Sequence, residues 1–264
     1  MFGKHNTEIA SAGSVLKIDE NSASIDANGM HYRQLNALLK ELERGGIEEI
    51  KIYNVYGQRY IGTGLKESTE IKIYGIPGND LGAFMNGPRI HVYGNAQDGS
   101  GNTMDNGLII IHGDAGDVTG YSMRGGKIFI EGNAGFRTGV HLKQYGNKNP
   151  TILIGGCAGD FLGEYMAGGR IILLNIGKSN FNDVKHMGIG MHGGEIFIRG
   201  VIRQSGNMAG CVTEASEFDL RLIEELVSDY LKYFDKRISV DKIMSDRFTK
   251  IIPSSSRPFR RLYH

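Results

Sequence analysis

Ile71-Lys72-Ile73-Tyr74-Gly75, Ile90-His91-Val92-Tyr93-Gly94 and Ile109-Ile110-Ile111-His112-Gly113 follow one another at intervals of nineteen residues. The same opening returns at Ile128, Ile152, Ile171 and Ile196, after intervals of 19, 24, 19 and 25. A fixed period of this size marks a solenoid, whose units bury their apolar faces only against each other. Each unit opens with alternating, β-branched residues, the pattern of a short strand with one face inside. A turn follows, with Gly75, Gly94, Gly113, Gly132 and Gly156 at the fifth position and Asn175 in the next unit. Gly82, Gly101, Gly120, Gly139 and Gly163 form a second column at the twelfth position. Met85, Met104, Met123, Leu142 and Met166 form a third at the fifteenth, and Met191 holds the same place before Ile196. Columns mean that like residues stack on successive coils at strand spacing, roughly 4.8 Å.

Nineteen is not a multiple of six, and regular hexads are missing, which argues against a left-handed hexapeptide helix. The expected fold is therefore an all-β solenoid, a right-handed parallel β-helix with coils of about nineteen residues. The flanks lose the period. Residues 1–70 carry a helix over 30–44, with His31, Tyr32, Leu35, Leu38, Leu39 and Leu42 on its apolar stripe, and a strand over 47–55. Residues 71–200 are the regular helix. Residues 201–264 form a helical segment and a basic tail; Phe218, Leu222, Leu226 and Tyr230 mark a helix over 214–234, and a shorter one spans 240–248. Helical caps over both ends would cover the open backbone rows of the terminal coils.

Of 39 glycines, 29 fall between Gly75 and Gly200, so the excess belongs to the repeat. A net charge of +1 gives no general reason to expect nucleic acid or an anionic membrane as partner. Two cysteines, Cys157 and Cys211, make no disulfide framework, and no apolar run has the length of a membrane span. The expectation is a cytoplasmic protein.

Chemistry is sparse. Asn79, Asp98, Asp117, Phe136 and Asp160 share the ninth position of the unit. Asx turns, in which each carboxylate accepts from its own turn amides, account for them best. A cation ladder suits them poorly, because Phe136 interrupts it. Stacked carboxylates could also serve a carbohydrate-active enzyme. His91, His112, His141, His186 and His192 sit at differing unit positions and form no column; the last two belong to a surface insertion. Neither a phosphate-binding loop nor a nucleophile elbow is present. Tyr53, Tyr74 and Tyr93 share a column and are the candidate contact stripe. Arg260 and Arg261, in a tail that mixes arginine with aromatics, are candidate partner contacts.

Three stretches carry a resemblance: Gly78-Asn79-Asp80-Leu81-Gly82-Ala83-Phe84-Met85, Gly113-Asp114-Ala115-Gly116-Asp117 and Gly163-Glu164-Tyr165-Met166-Ala167-Gly168-Gly169. They are similar to the GXGXG repeat region that ends the glutamate synthase large subunit. Asn54-Val55-Tyr56-Gly57-Gln58-Arg59-Tyr60-Ile61-Gly62 resembles the entry to that region, and the likeness runs from about Ile25 to Gly200. The repeat-bearing subunit of formylmethanofuran dehydrogenase resembles the chain less closely. The resemblance implies an architectural domain with no catalytic residue, cofactor or metal of its own. It implies that glutaminase and FMN-synthase polypeptides are the partners and carry the cysteine nucleophile, the FMN and the iron–sulfur cluster; further copies of this chain are the other partner to test. The residues agree. The chain opens Met1-Phe2-Gly3, and Cys157 and Cys211 are too few for a three-cysteine cluster. The resulting expectation is a stand-alone assembly component of a split glutamate synthase.

Overall fold

The computed structural model describes residues 14–177, 184–202, 210–234 and 238–255. Its frame is one twelve-stranded sheet. A hairpin opens it, β1 (Ser14–Ile18) antiparallel to β2 (Ser22–Asp26). Helix α1 (Tyr32–Arg44) then crosses over to β3 (Glu49–Tyr56), which lies parallel to β2. Six coils follow, with β4 (Glu70–Ile76), β5 (Asn86–Tyr93), β6 (Asn106–Ile111), β7 (Lys127–Ile130), β8 (Thr151–Ile154) and β9 (Ala167–Leu173). The parallel series ends at β10 (Gly193–Arg199). After it come β11 (Cys211–Glu214), α2 (Glu217–Leu231), α3 (Val240–Met244) and β12 (Phe248–Ile252).

The register repeats the sequence columns. Ile71 pairs with Ile90, Ile90 with Ile109, Ile109 with Ile128, Ile128 with Ile152, Ile152 with Ile171, and Ile171 with Ile196. The chain is thus a parallel β-solenoid. The first and third strand positions face the inside of the coil, so Ile109, Ile111, Ile128 and Ile130 are fully buried. Opposite them, Met85, Met104, Met123, Leu142 and Met166 are buried as well. Burying each such side chain stabilises the fold by about 2 kcal/mol before entropy is counted.

The glycine columns answer two different constraints. At the twelfth position the backbone is left-handed, φ +73° at Gly120, and a Cβ there would stand 2.4 Å from Cδ1 of Ile152. At the fifth position the constraint is proximity: a Cβ on Gly113 would meet the Asn95 side chain at 2.3 Å and the Gly94 carbonyl at 2.8 Å.

The ends differ from expectation. The parallel ladder starts at Ser22, ahead of residue 71, because α1 takes the place of a turn arc between β2 and β3. Its Leu35, Leu39 and Leu42 complete the coil interior, and His31 with Gln34 forms its capping box. At the other end β12 pairs antiparallel with β10, and β11 closes the sheet antiparallel to β12. Helix α2 covers no coil end. It lies on the outer face of the sheet, where Ile223, Val227 and Tyr230 pack on Ile110, Phe129, Leu153, Ile172 and Phe197. Its buried stripe excludes Phe218, which is 76% exposed. The reason is legible afterwards: the second strand position reads Lys72, His91, then Ile110, Phe129, Leu153, Ile172 and Phe197. Apolar residues on both faces of a strand require cover on both faces.

Candidate functional site

The turn carboxylates form columns bonded from coil to coil. Oδ1 of Asp98 accepts the backbone N–H of Asp117 at 2.9 Å, that of Asp117 accepts Phe136 at 2.8 Å, and that of Asp160 accepts Lys185 at 2.8 Å. A second column does the same, with Asn95, Asp114 and Asn133 accepting from Asp114, Asn133 and Cys157. These acceptors serve the next coil's amides, which corrects the expectation of bonds within each residue's own turn. A single-residue Asx turn cannot see a neighbour nineteen residues on; a stacked coil can.

On the outer face, Tyr53 stacks on Tyr74 at 4.8 Å and Tyr74 on Tyr93 at 4.9 Å. Tyr93 is 40% exposed, while Tyr53 and Tyr74 are half-buried, each covered by its neighbour. The column continues into His112, 4.7 Å from Tyr93, and ends under Phe234 of the α2 terminus. His91 lies beside it, 6.0 Å from His112 and edge-on to Tyr233. The histidines are therefore less scattered than their unit positions suggest. His91 is 8% exposed, and Glu70 stands 3.3 Å from its Nε2 without forming a hydrogen bond. Burial holds the His91 pKa down to about 4, against the pull of Glu70, and burial lowers that of His112 too. Near neutral pH the His91 ring is therefore uncharged in the fold. His186 and His192 also depart from expectation: each is half-buried, and His186 stacks on Phe161 at 4.8 Å.

Beside this ladder a groove of about 900 Å³ runs along the strand starts, between Glu49, Glu70 and Arg89 on one side and Lys127, Phe129 and Tyr233 on the other. Its charges are largely paired: Glu49 with Lys72 outside the groove, and Lys127 and Lys232 with Asp229 at 2.8 Å each.

The far corner of the coils is different. Two positions per coil adopt left-handed backbone so that their N–H groups reach the carbonyls of the next coil. Phe84 donates to Asn102, His141 to Glu164, and Tyr165 to Ile189. Gly64 and Gly190 occupy equivalent places without strain, and Thr103 and Ser122 occupy them with it. Phe84 (φ 57°), His141 (56°) and Tyr165 (54°) are strained too, at a cost of about 1 kcal/mol each. All three are exposed. Tyr121 and Phe136 join them at the surface, and His141 stacks on Tyr165 at 5.4 Å. Reading the sequence for repeats missed this face, because its residues differ from coil to coil. The αL residues were its only signal, as non-glycine occupants of turn positions.

Cys157 is half-buried, its thiol donating to Asn175 Oδ1 at 3.7 Å, and Cys211 is exposed. No set of three His, Cys, Asp or Glu among the described residues is placed to hold a metal ion. No helix among them is long and apolar enough to cross a membrane. Arg260 and Arg261 lie outside the described residues.

Three likenesses bear on the whole. The GXGXG motif model matches residues 50–254. An uncharacterized protein from Methanocaldococcus jannaschii is 48% identical over 249 residues, covering 90% of this chain and 95% of that protein. A chain in the crystal structure of the formyltransferase/hydrolase complex from Methylorubrum extorquens, solved with methylofuran, superposes with a TM-score of 0.56. It is 24% identical, over 77% of this chain and 72% of the other, and shows the fold alone.

Proposed function

The chain belongs to the GXGXG motif family, the domain found in the C-terminal region of the glutamate synthase large subunit, and we propose that it is the assembly component of a glutamate synthase-type complex. In this reading a rigid rod holds a glutaminase polypeptide and an FMN-dependent synthase polypeptide in register, so that ammonia released from glutamine reaches 2-oxoglutarate. FMN and the iron–sulfur cluster belong to the partners.

The observation that carries the reading is the use made of the polar side chains in the turns. Asp98, Asp114, Asp117, Asn133 and Asp160 are spent on the backbone of the next coil, so they stiffen the rod. A stiff rod with family ties to a multi-domain enzyme is suited to positioning others. The experiment is co-expression of the chain with glutaminase and flavoprotein synthase polypeptides. A stable complex with glutamine-dependent glutamate formation is expected, slowed when this chain is omitted. A flavoprotein of full activity that ignores the chain would refute the reading.

A second reading has one observation behind it. The fold neighbour sits in a formyltransferase/hydrolase complex, so a scaffold in another redox or one-carbon assembly, such as formylmethanofuran dehydrogenase, is the alternative. Recovery of subunits of that type in place of glutamate synthase polypeptides would select it.

A further inference from the structure

We propose that the aromatic corner of the coils, built from Phe84, Tyr121, Phe136, His141 and Tyr165, is the docking surface for a separate polypeptide whose contact patch is apolar and flanked by lysine or arginine. The inference rests on the scaffold reading but on no particular complex.

Two independent features point to it. The first is a conflict between local stability and sequence. The left-handed positions at Phe84, His141 and Tyr165 favour glycine or asparagine; the rest of the same column is small, Gly64, Thr103 (φ 52°), Ser122 (φ 51°) and Gly190. Bulky rings there strain the backbone. Nor do they recover the loss by burial, since Phe84 is 59% and Tyr165 46% exposed. Thr103 and Ser122 bear the same strain, so what sets the rings apart is their size: large side chains kept in water at this corner are explained by contacts made outside the chain.

The second feature is charge. Asp98 and Asp117 are exposed and stacked one rung apart, Asp117 bonded to the Phe136 amide, and the exposed Asp114 stands between Asn95 and Asn133 in the next column. Their Oδ1 atoms accept backbone amides, yet none has an ion-pair partner among the described residues. Arg137, which follows Phe136, is committed to Glu164 at 3.4 Å and to the Phe161 ring at 5.3 Å. Like charges one rung apart repel, and a basic partner relieves that repulsion. The tyrosine ladder on the sheet makes a poorer candidate, because its rings cover one another and end beneath Phe234.

The test places the photo-crosslinker p-benzoylphenylalanine at Phe84, Tyr121 or Tyr165 of the full chain, expressed in the cells it comes from. Leu16 and Phe218, exposed elsewhere, are the control positions. Expected is an adduct with one other polypeptide from all three corner positions and from neither control. The adduct should weaken at about 0.5 M salt, where the Debye length falls to a few ångströms. The crosslinked peptide, read by mass spectrometry, should carry lysine or arginine beside apolar residues. No adduct at the corner, an adduct with a second copy of this chain, equal adducts at the controls, or a crosslinked peptide without basic residues would each overturn the proposal.

A second arm separates binding from folding. The triple variant Phe84→Asn, His141→Asn, Tyr165→Asn should melt no lower than wild type, because asparagine tolerates the left-handed region. It should cut the Tyr121 adduct at least tenfold. A lower melting temperature would show that the rings serve the fold, and the proposal would fall. If the captured polypeptide is neither a glutaminase nor a flavoprotein synthase, the glutamate synthase reading fails while the docking face stands.

Discussion

Tyr93 and His112 stack with ring centroids 4.7 Å apart and planes 16° from parallel, at the point where the outer face of the sheet passes from solvent to cover by α2. On the more open side the second strand position is Lys72, at the boundary it is the buried His91, and on the covered side it is Ile110 or Phe129. His91 lies at this boundary with Tyr233 edge-on to it. Groups from every neighbouring element face it: Glu70 and Lys72 on β4, Arg89 and Tyr93 on its own strand, and His112 after β6.

This position makes the fold sensitive to acid. The His91 pKa is about 4 in the fold, below the ordinary 6.5 of an unfolded chain. Between those values the unfolded chain takes a proton that the fold excludes. The neutral ring's contribution is therefore intact above about pH 6.5, declines as pH falls, and is gone below about 4. The shift corresponds to about 3 kcal/mol at most. His91→Phe should remove this part. Between pH 7 and 4.5 the wild type should lose more melting temperature than the variant. Equal losses would show that His91 titrates normally.

The regular coils were legible because stacking imposes one residue type on one column, and Ile, Met and Gly repeat at a fixed period. The hairpin β1–β2 and the closing strands β11 and β12 were not. Each is a single antiparallel element with no repeat to announce it, and Phe248–Ile252 reads equally well as a helix end. Helix α2 was found, but its buried face was turned, since Phe218 and Ile223 are both apolar and only the partner surface decides between them. The candidate docking face was illegible for the opposite reason to the core: it departs from the repeat.

The twelfth-position glycines should be the least replaceable residues in the chain. At Gly120 an alanine must hold φ +73° and place its Cβ 2.4 Å from Cδ1 of Ile152, which is fully buried. Strain and overpacking together should cost about 2–4 kcal/mol. Gly146 is a fair control, with φ +57° and nothing within 4 Å of an added methyl. Gly146→Ala should cost about 1 kcal/mol. Urea midpoints of the two variants would decide; similar values would mean that the coil interior yields to the methyl.

Asp117 separates charge from hydrogen bonding. Its Oδ1 accepts the Phe136 N–H at 2.8 Å, as the Asn95 side chain accepts from Asp114 in the neighbouring column. Asp117→Asn keeps an acceptor and removes a stacked charge, so stability should stay within about 0.5 kcal/mol of wild type or rise. Asp117→Ala leaves the amide without its partner and should cost about 1–2 kcal/mol. Thermal melts with and without calcium complete the comparison. A large calcium-dependent rise in the wild type, absent from Asp117→Asn, would show that the column binds a cation and does more than join coils.

Lys250 fixes α2 to the sheet. Its Nζ lies 2.8 Å from Asp219 Oδ1 and 2.8 Å from Glu195 Oε1, and only 17% of its side chain is exposed. Burial opposes the lysine's charge, but the two carboxylates outweigh it and raise its pKa. Burial likewise opposes ionisation of Asp219, yet Lys250 and the Ser216 hydroxyl and amide hold its carboxyl below the usual range. Asp219 also closes the capping box of α2 with Ser216. Lys250→Met therefore strands Asp219, while Glu195 keeps Arg170 at 3.4 Å, and should cost about 2–3 kcal/mol. The damage should be local. The interior of the coils is held by apolar columns that do not involve Lys250, whereas the start of α2 depends on it. Amide hydrogen exchange in α2 should accelerate at least tenfold in the variant, with β6 to β8 unchanged. Asp219 contributes in the same place with the opposite pH sense to a group whose folded pKa is raised: its carboxylate stabilises above about pH 4 and is lost as pH falls through its lowered folded value. Uniform acceleration across α2 and the coils would mean that the helix and the solenoid open as one unit, and that the Lys250 pair supports the whole fold.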